Sequence, residues 1–173
     1  MMGFKGQCAG FTLLETLLVM AVLGLLVTLG APQLQHLWHT QQMYSAFWQL
    51  QQDLNLARHA AVSERRPVLL GAHAEGWQAG WVMFVDHNRN GRWDDGERQL
   101  GHGAALRGVL LRGNAPVSQY VRFMPHGGTE LLGGGFQAGT LTLCHASGRQ
   151  PIRRLVISAS GRLRSEQGEA GHC

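Results

Sequence analysis

The chain has 173 residues, 45% of them hydrophobic and 15% charged, with a formal net charge of +4. That length fits one modest domain behind an apolar N-terminal stretch, leaving about 110 residues for a globular head, enough to bury a core unaided with little to spare. The charge is too small to imply a nucleic-acid partner by itself, so where the cations sit matters more than their sum.

Met1 to Gly10 form a short leader whose one charge is Lys5. From Gly10 to Ala31 the chain reads GFTLLETLLVMAVLGLLVTLGA. These are about twenty nearly all-apolar residues, long enough to cross a hydrocarbon core of roughly 30 Å as a helix. Glu15 is the one carboxylate in the run. A charge at that depth costs a few kcal/mol and needs a partner or a function. A secretory signal places its apolar region ahead of a small-residue cleavage site. Here the processing site, Gly10–Phe11, precedes the apolar run, so cleavage leaves the hydrophobic segment on the mature protein.

Gly10 before the cut, Phe11 as the new N-terminus, Thr12 after it, Glu15 at the fifth mature position and Pro32 closing the span carry a resemblance. Together they resemble the class III signal of type IV pilins and type II secretion pseudopilins. The resemblance implies a prepilin peptidase that cuts after Gly10 and methylates the amino group of Phe11. It also implies that Glu15 meets the N-terminal amine of a neighbouring subunit during assembly; a lone carboxylate in lipid gains from such a cationic partner. The implied partners are other major and minor pilins, the peptidase and an inner-membrane assembly platform. The implied location is the inner membrane of a Gram-negative bacterium, single-pass with the head in the periplasm, and then the pilus filament. Loss of the leader removes Lys5 and Cys8 and leaves 14 Arg against 11 acids, a net of +3. Cys144 and Cys173 remain, an even pair in a chain that leaves the cytoplasm, which reads as a disulfide. Its loop of about 28 residues is worth roughly 3–4 kcal/mol in the chain-entropy view; two free thiols are the alternative.

Beyond the apolar run the helix continues. Pro32 removes one backbone donor and bends the helix without ending it. Leu34, Leu37, Trp38, Phe47, Leu50, Leu54, Ala57 and Ala61 recur at three- and four-residue spacing, with Gln41, Gln49, Gln52 and Asn55 on the other face. Pro67 ends the helix near Arg65. The whole element is about 55 residues and roughly 80 Å long. Short strands and glycine-rich turns follow: Val68–Gly71, Gly80–Val85, Val109–Arg112, Val121–Met124, Thr140–Cys144, Arg153–Ser158 and a further piece at Arg162–Arg164. The stretch from Glu166 to Gly171 reads as irregular. With no helical pattern between the strands, the sheet is antiparallel. The reading is an α+β pilin fold, a long N-terminal helix kinked near Pro32 and packed on an antiparallel β head. Its segments are 1–10 (leader), 11–31 (membrane and filament-core helix), 32–66 (amphipathic continuation) and 67–173 (head).

Trp77, Gly80, Trp81, Phe84, Asp86, Asn88, Asn90 and Gly91 resemble a stretch in the heads of FimT and GspH-type minor pilins. Alternation puts Trp81, Met83 and Val85 on one face of a strand and Val82 and Phe84 on the other. Asp86 to Glu97 also fits the spacing of an EF-hand calcium loop, with Asp86, Asn88, Asn90, Asp94 and Glu97 as oxygen donors and Gly91 at the sharp turn. A strand precedes it, nothing helical follows, and Arg89 and Arg92 oppose a divalent cation. Asn-Gly beside a strand is a hairpin signal. The turn reading is preferred and no metal is expected.

Between Cys144 and Ser165 lie Arg149, Arg153, Arg154, Arg162 and Arg164, with no acid. If 162–164 is extended, Arg162 and Arg164 project to one side and Leu163 to the other. Gly161 permits a tight turn or a close backbone approach. Paired guanidiniums suit phosphate and bind DNA without reading sequence. This Gly-Arg-x-Arg element resembles the C-terminal motif of FimT-type minor pilins, which implies capture of double-stranded DNA for natural transformation. The competing reading makes the arginines a solvated edge against aggregation or a subunit contact, in a pilin or pseudopilin that only primes assembly. Alternation separates Arg153 from Arg154. No nucleophile elbow, phosphate loop or metal-spaced histidine set is present, so neither an enzyme nor a cofactor is expected.

Overall fold

The computed structural model describes residues 12–173, with backbone alone at 30–32. Gly10 and Phe11, the expected processing site, lie outside the described residues. The chain divides into two compact units at Trp38/His39.

Helix α1 spans Leu13–Glu64, 52 residues, and helical geometry continues through Pro32. Thr12 starts it: its carbonyl and hydroxyl oxygens both accept the Glu15 amide, at 3.1 and 3.3 Å. Glu15 stands exposed in the first turn, where the positive end of the helix dipole favours a carboxylate. In the first unit the apolar side chains from Leu13 to Leu29 are exposed, and the helix is long and apolar enough to cross a membrane. Leu34, Leu37 and Trp38, the first residues of the amphipathic continuation, are exposed as well. The helix ends where Arg65 takes a left-handed φ of 53° ahead of Pro67.

In the second unit the buried stripe of α1 is Met43, Ala46, Phe47, Leu50, Leu54, Ala57 and Ala61, at the three- and four-residue spacing of one helical face. It packs against eight strands: β1 (Val68–His73), β2 (Gly76–Val85), β3 (Gln99–Gly103), β4 (Val109–Gly113), β5 (Tyr120–Phe123), β6 (Gly139–His145), β7 (Pro151–Ile157) and β8 (Leu163–Ala170). These form two four-stranded sheets, ordered β3-β2-β1-β5 and β4-β6-β7-β8, with every neighbouring pair antiparallel. Alternating residues of both sheets face the helix, among them Leu70, Trp81, Met83, Phe123, Leu141, Leu143, Leu155 and Ile157. The two buried tryptophans also satisfy their indoles: Trp81 Nε1 donates to Asp53 on α1 at 2.8 Å, and Trp77 Nε1 to the Val117 carbonyl at 2.9 Å.

Two strands depart from the sequence reading. β3, QLGHG, has no β-branched or aromatic residue. It forms because Gly103 leaves room for the Trp81 ring that any Cβ would strike, so packing against β2 overrides propensity. β8 extends through Glu166–Ala170, expected to be irregular, because β7 pairs with it along its length. The Cys144–Cys173 disulfide, with Cα atoms 5.6 Å apart, ties the residues after β8 to β6.

Candidate nucleic-acid interface

The β7–β8 hairpin places the arginines. Its turn, Ser158 to Arg162, closes on itself: Ser158 N–H donates to the Arg162 carbonyl at 3.1 Å and Gly161 N–H to the Ser158 carbonyl at 2.8 Å. The Ser158 hydroxyl accepts the Arg162 amide at 3.1 Å. Gly161 is buried with φ of 72°, a conformation that disfavours any side chain. Pairing Ile157 with Leu163 turns Leu163 toward the core, so Arg162 and Arg164 fall on the opposite side.

Arg162 is exposed, and Arg164 keeps 65% of its side chain in solvent while pairing with Glu166 at 2.6 Å. Arg154 shares their face, directly across from Glu166, with its guanidinium against Gly168. Arg153 turns inward instead. It stacks over Tyr44 at 4.0 Å and Phe47 at 5.2 Å, spending its charge on helix–sheet packing. Arg149 is exposed at the far end of β7, in the turn from β6. The hairpin therefore brings Arg162, Arg164 and Arg154 together and leaves Arg149 and Arg153 apart. Glu166, one residue past the acid-free stretch, was not singled out from the sequence; only the strand pairing brings it onto Arg164.

The Asp86–Glu97 loop uses its oxygens internally. Buried Asp86 accepts the amides of Asn90 and Gly91 at 3.1 and 3.2 Å. Glu97 accepts those of His87 and Asp94 at 2.9 and 3.2 Å. Asp94 accepts the side-chain amides of Asn88 and Asn90 at 2.8 and 2.6 Å. Burial pushes the Asp86 carboxyl above the usual 3.8, against the pull of the Gly91 amide. Bonds from Asn88 and then Asn90 hold Asp94 below 3.8. Among the described residues, no group of three His, Cys, Asp or Glu is placed to hold a metal.

A long N-terminal helix packed on antiparallel sheets, with an exposed apolar N-terminal half, defines a type IV minor pilin or pseudopilin. Residues 48–161 match the family described as Type II transport protein GspH, and residues 5–31 match the prokaryotic N-terminal methylation motif. The chain belongs to the GspH family. It is 33% identical over 166 residues to the pilin-like protein PilA1 of Thermus thermophilus, covering 91% of this chain and 97% of that one. The type IV minor pilin FimU of Pseudomonas aeruginosa shares the fold at a TM-score of 0.57 and 23% identity, over 73% of this chain and 90% of FimU. The minor pseudopilin EpsH from the Type 2 Secretion System of Vibrio cholerae shares it at 0.54 and 14% identity, over 73% of this chain and 97% of EpsH. The role is that of a structural pilin subunit, working with other pilins in a type IV pilus or a type II secretion pseudopilus.

Proposed function

We propose that this chain is a minor type IV pilin that binds DNA without sequence preference through Gly161–Arg162–Leu163–Arg164 and serves DNA uptake in natural transformation. In this reading residues 1–10 are a leader removed by a prepilin peptidase between Gly10 and Phe11. Residues 11–31 hold the chain in the inner membrane of a Gram-negative bacterium, then enter the filament core. Residues 32–66 continue the helix, and residues 67–173 are the head, first periplasmic and then on the pilus surface. Glu15 takes the N-terminal amine of a neighbour as the assembly platform adds subunits.

The observation that carries the DNA reading is the hairpin itself. Two guanidiniums two residues apart, Arg162 ending the turn and Arg164 at the start of β8, stand exposed beside a turn whose backbone bonds are already made. Each fork suits one phosphate, and contacts of that kind position a duplex without reading its bases. The rings that meet this sheet's arginines, Tyr44 and Phe47, are engaged by Arg153 and not by Arg162 or Arg164, and Phe47 is buried. Contact with the duplex backbone is therefore favoured over base stacking on a single strand.

A second reading, an assembly subunit without DNA, draws on the Arg164–Glu166 pair and on the place of β8 at the edge of its sheet. Charges on an edge strand blunt edge-to-edge pairing. The two readings separate in a fluorescence-anisotropy titration of short labelled duplexes with the full chain in non-ionic detergent. Under the DNA reading, wild type binds unrelated duplexes alike and loses affinity steeply as salt rises, and the Arg162→Gln/Arg164→Gln variant does not bind. Equal behaviour of the two proteins makes the chain an assembly subunit.

A further inference from the structure

The geometry points to Arg58, on α1, as the residue that positions the arginine pair by clamping the β7–β8 turn. Its consequence for DNA rests on the reading above; its geometry does not. Arg58 Nε donates to the Gly127 carbonyl at 3.0 Å and Nη2 to the Ser160 carbonyl at 3.3 Å. One half-buried guanidinium thus ties the helix to two loops, 69 and 102 positions away in sequence.

Gly161 explains why the clamp fits. A Cβ there would overlap the Gly127 carbonyl oxygen and lie 3.2 Å from Arg58 Nε. The residue is bare so that the carbonyl Arg58 holds can press against the turn. The glycine of the Gly-Arg-x-Arg element is therefore a seat for this chain's own backbone. The other turn carbonyls are held from a different side. The Thr129 amide donates to the Ala159 carbonyl at 3.0 Å, and the Thr129 hydroxyl, whose one proton is shared with the Gln137 carbonyl at 2.5 Å, lies 3.1 Å from that of Ser158. Arg58 supplies the hold on Ser160, immediately before Gly161 and Arg162. A turn ordered in advance loses less freedom when phosphate binds, so the clamp raises affinity without touching DNA. A planar fork spans two carbonyls at once, which a lysine ammonium does not reproduce.

The test uses the full chain in non-ionic detergent and compares wild type, Arg58→Gln, Arg58→Lys, Arg162→Gln and Arg164→Gln. Two readouts are taken: duplex affinity across a salt series, and amide hydrogen exchange at Ala159–Arg162 with β1–β2 as internal reference. Both Arg58 variants are expected to lose about fivefold or more in affinity through lost pre-organisation. Their salt slope should stay that of wild type, whereas removing a phosphate-binding arginine lowers the slope by about 0.9. Exchange at Ala159–Arg162 should quicken while β1–β2 stays protected. A slope loss of that size in Arg58→Lys or Arg58→Gln would make Arg58 a phosphate ligand and overturn the inference. Unchanged turn exchange overturns it too. If Arg58→Gln does not fold, Arg58→Lys, which keeps charge and stem, decides alone. If wild type itself fails to bind DNA, the DNA reading falls, and exchange alone decides whether Arg58 holds the turn.

Discussion

Two loops of the head are built from similar materials and end differently. The Asp86–Glu97 loop and the Ser158–Arg162 turn both use a positive-φ glycine and short polar side chains that accept backbone amides. In the first, Asp86, Asp94 and Glu97 are consumed by the loop's own donors. In the second, hydroxyl and backbone groups together with the Arg58 guanidinium do the folding, and Arg162 and Arg164 are left outside it. A charged side chain becomes available to a partner when other groups have already satisfied the backbone around it. By that measure the loop with the more complete ligand spacing has less to offer than the one with two arginines.

The strongest way to break this comparison is Asp86→Ala. Losing a buried acceptor of two amides should cost about 2–3 kcal/mol in chemical denaturation, with duplex affinity unchanged below the melting range. A mutant that stays as stable as wild type would mean the loop does not depend on its acid. A finer test is a carboxyl-carbon NMR titration. Asp86 should titrate above 3.8 and Asp94 below it. The signs oppose. The proton-linked part of the Asp86 contribution to stability is complete below 3.8 and is lost as pH rises through its higher folded value, separately from the two amide bonds it accepts, while that of Asp94 is present above 3.8 and is lost as pH falls through its lower one. Two midpoints at 3.8 would remove the internal consumption of charge on which the comparison stands. The smallest effect belongs to Glu166→Gln. Releasing Arg164 should raise duplex affinity about twofold and move stability by less than about 0.5 kcal/mol, the scale of an exposed ion pair. Weaker binding in that variant would show that Glu166 orients Arg164 for its partner and does not compete for it.

Much of this was legible in the residues, and the rest was not for definite reasons. The long helix shows in its spacing, and Pro67 marks its end within a residue or two of Glu64. The strands rich in Val, Leu and Ile show as well, because their own composition prefers a pleated surface. β3 and the later part of β8 stayed hidden, since QLGHG and SEQGEA become strands only through the neighbours they pair with. The apolar spacing begins at Leu34 but is buried only from Met43, because periodicity marks an apolar face without saying where its cover begins. In the site, the exposed pair Arg162 and Arg164 could be read from alternation, and so could the split of Arg153 from Arg154. The partners that set them could not. Arg58 meets Ser160 across 102 positions, and Glu166 meets Arg164 only because β8 is extended.

The bond between Cys144 and Cys173 has a mechanical side. It closes a covalent ring that contains both β7 and β8, while hydrogen bonds to Thr129 and α1 hold the hairpin turn at the other end. An edge strand fastened only by its ladder opens one rung at a time when pulled from its tip. This one is tethered at both ends, so tension applied at Arg162 or Arg164 is shared among several rungs and passed into the helix. The hairpin is therefore held to the head as one unit and not rung by rung.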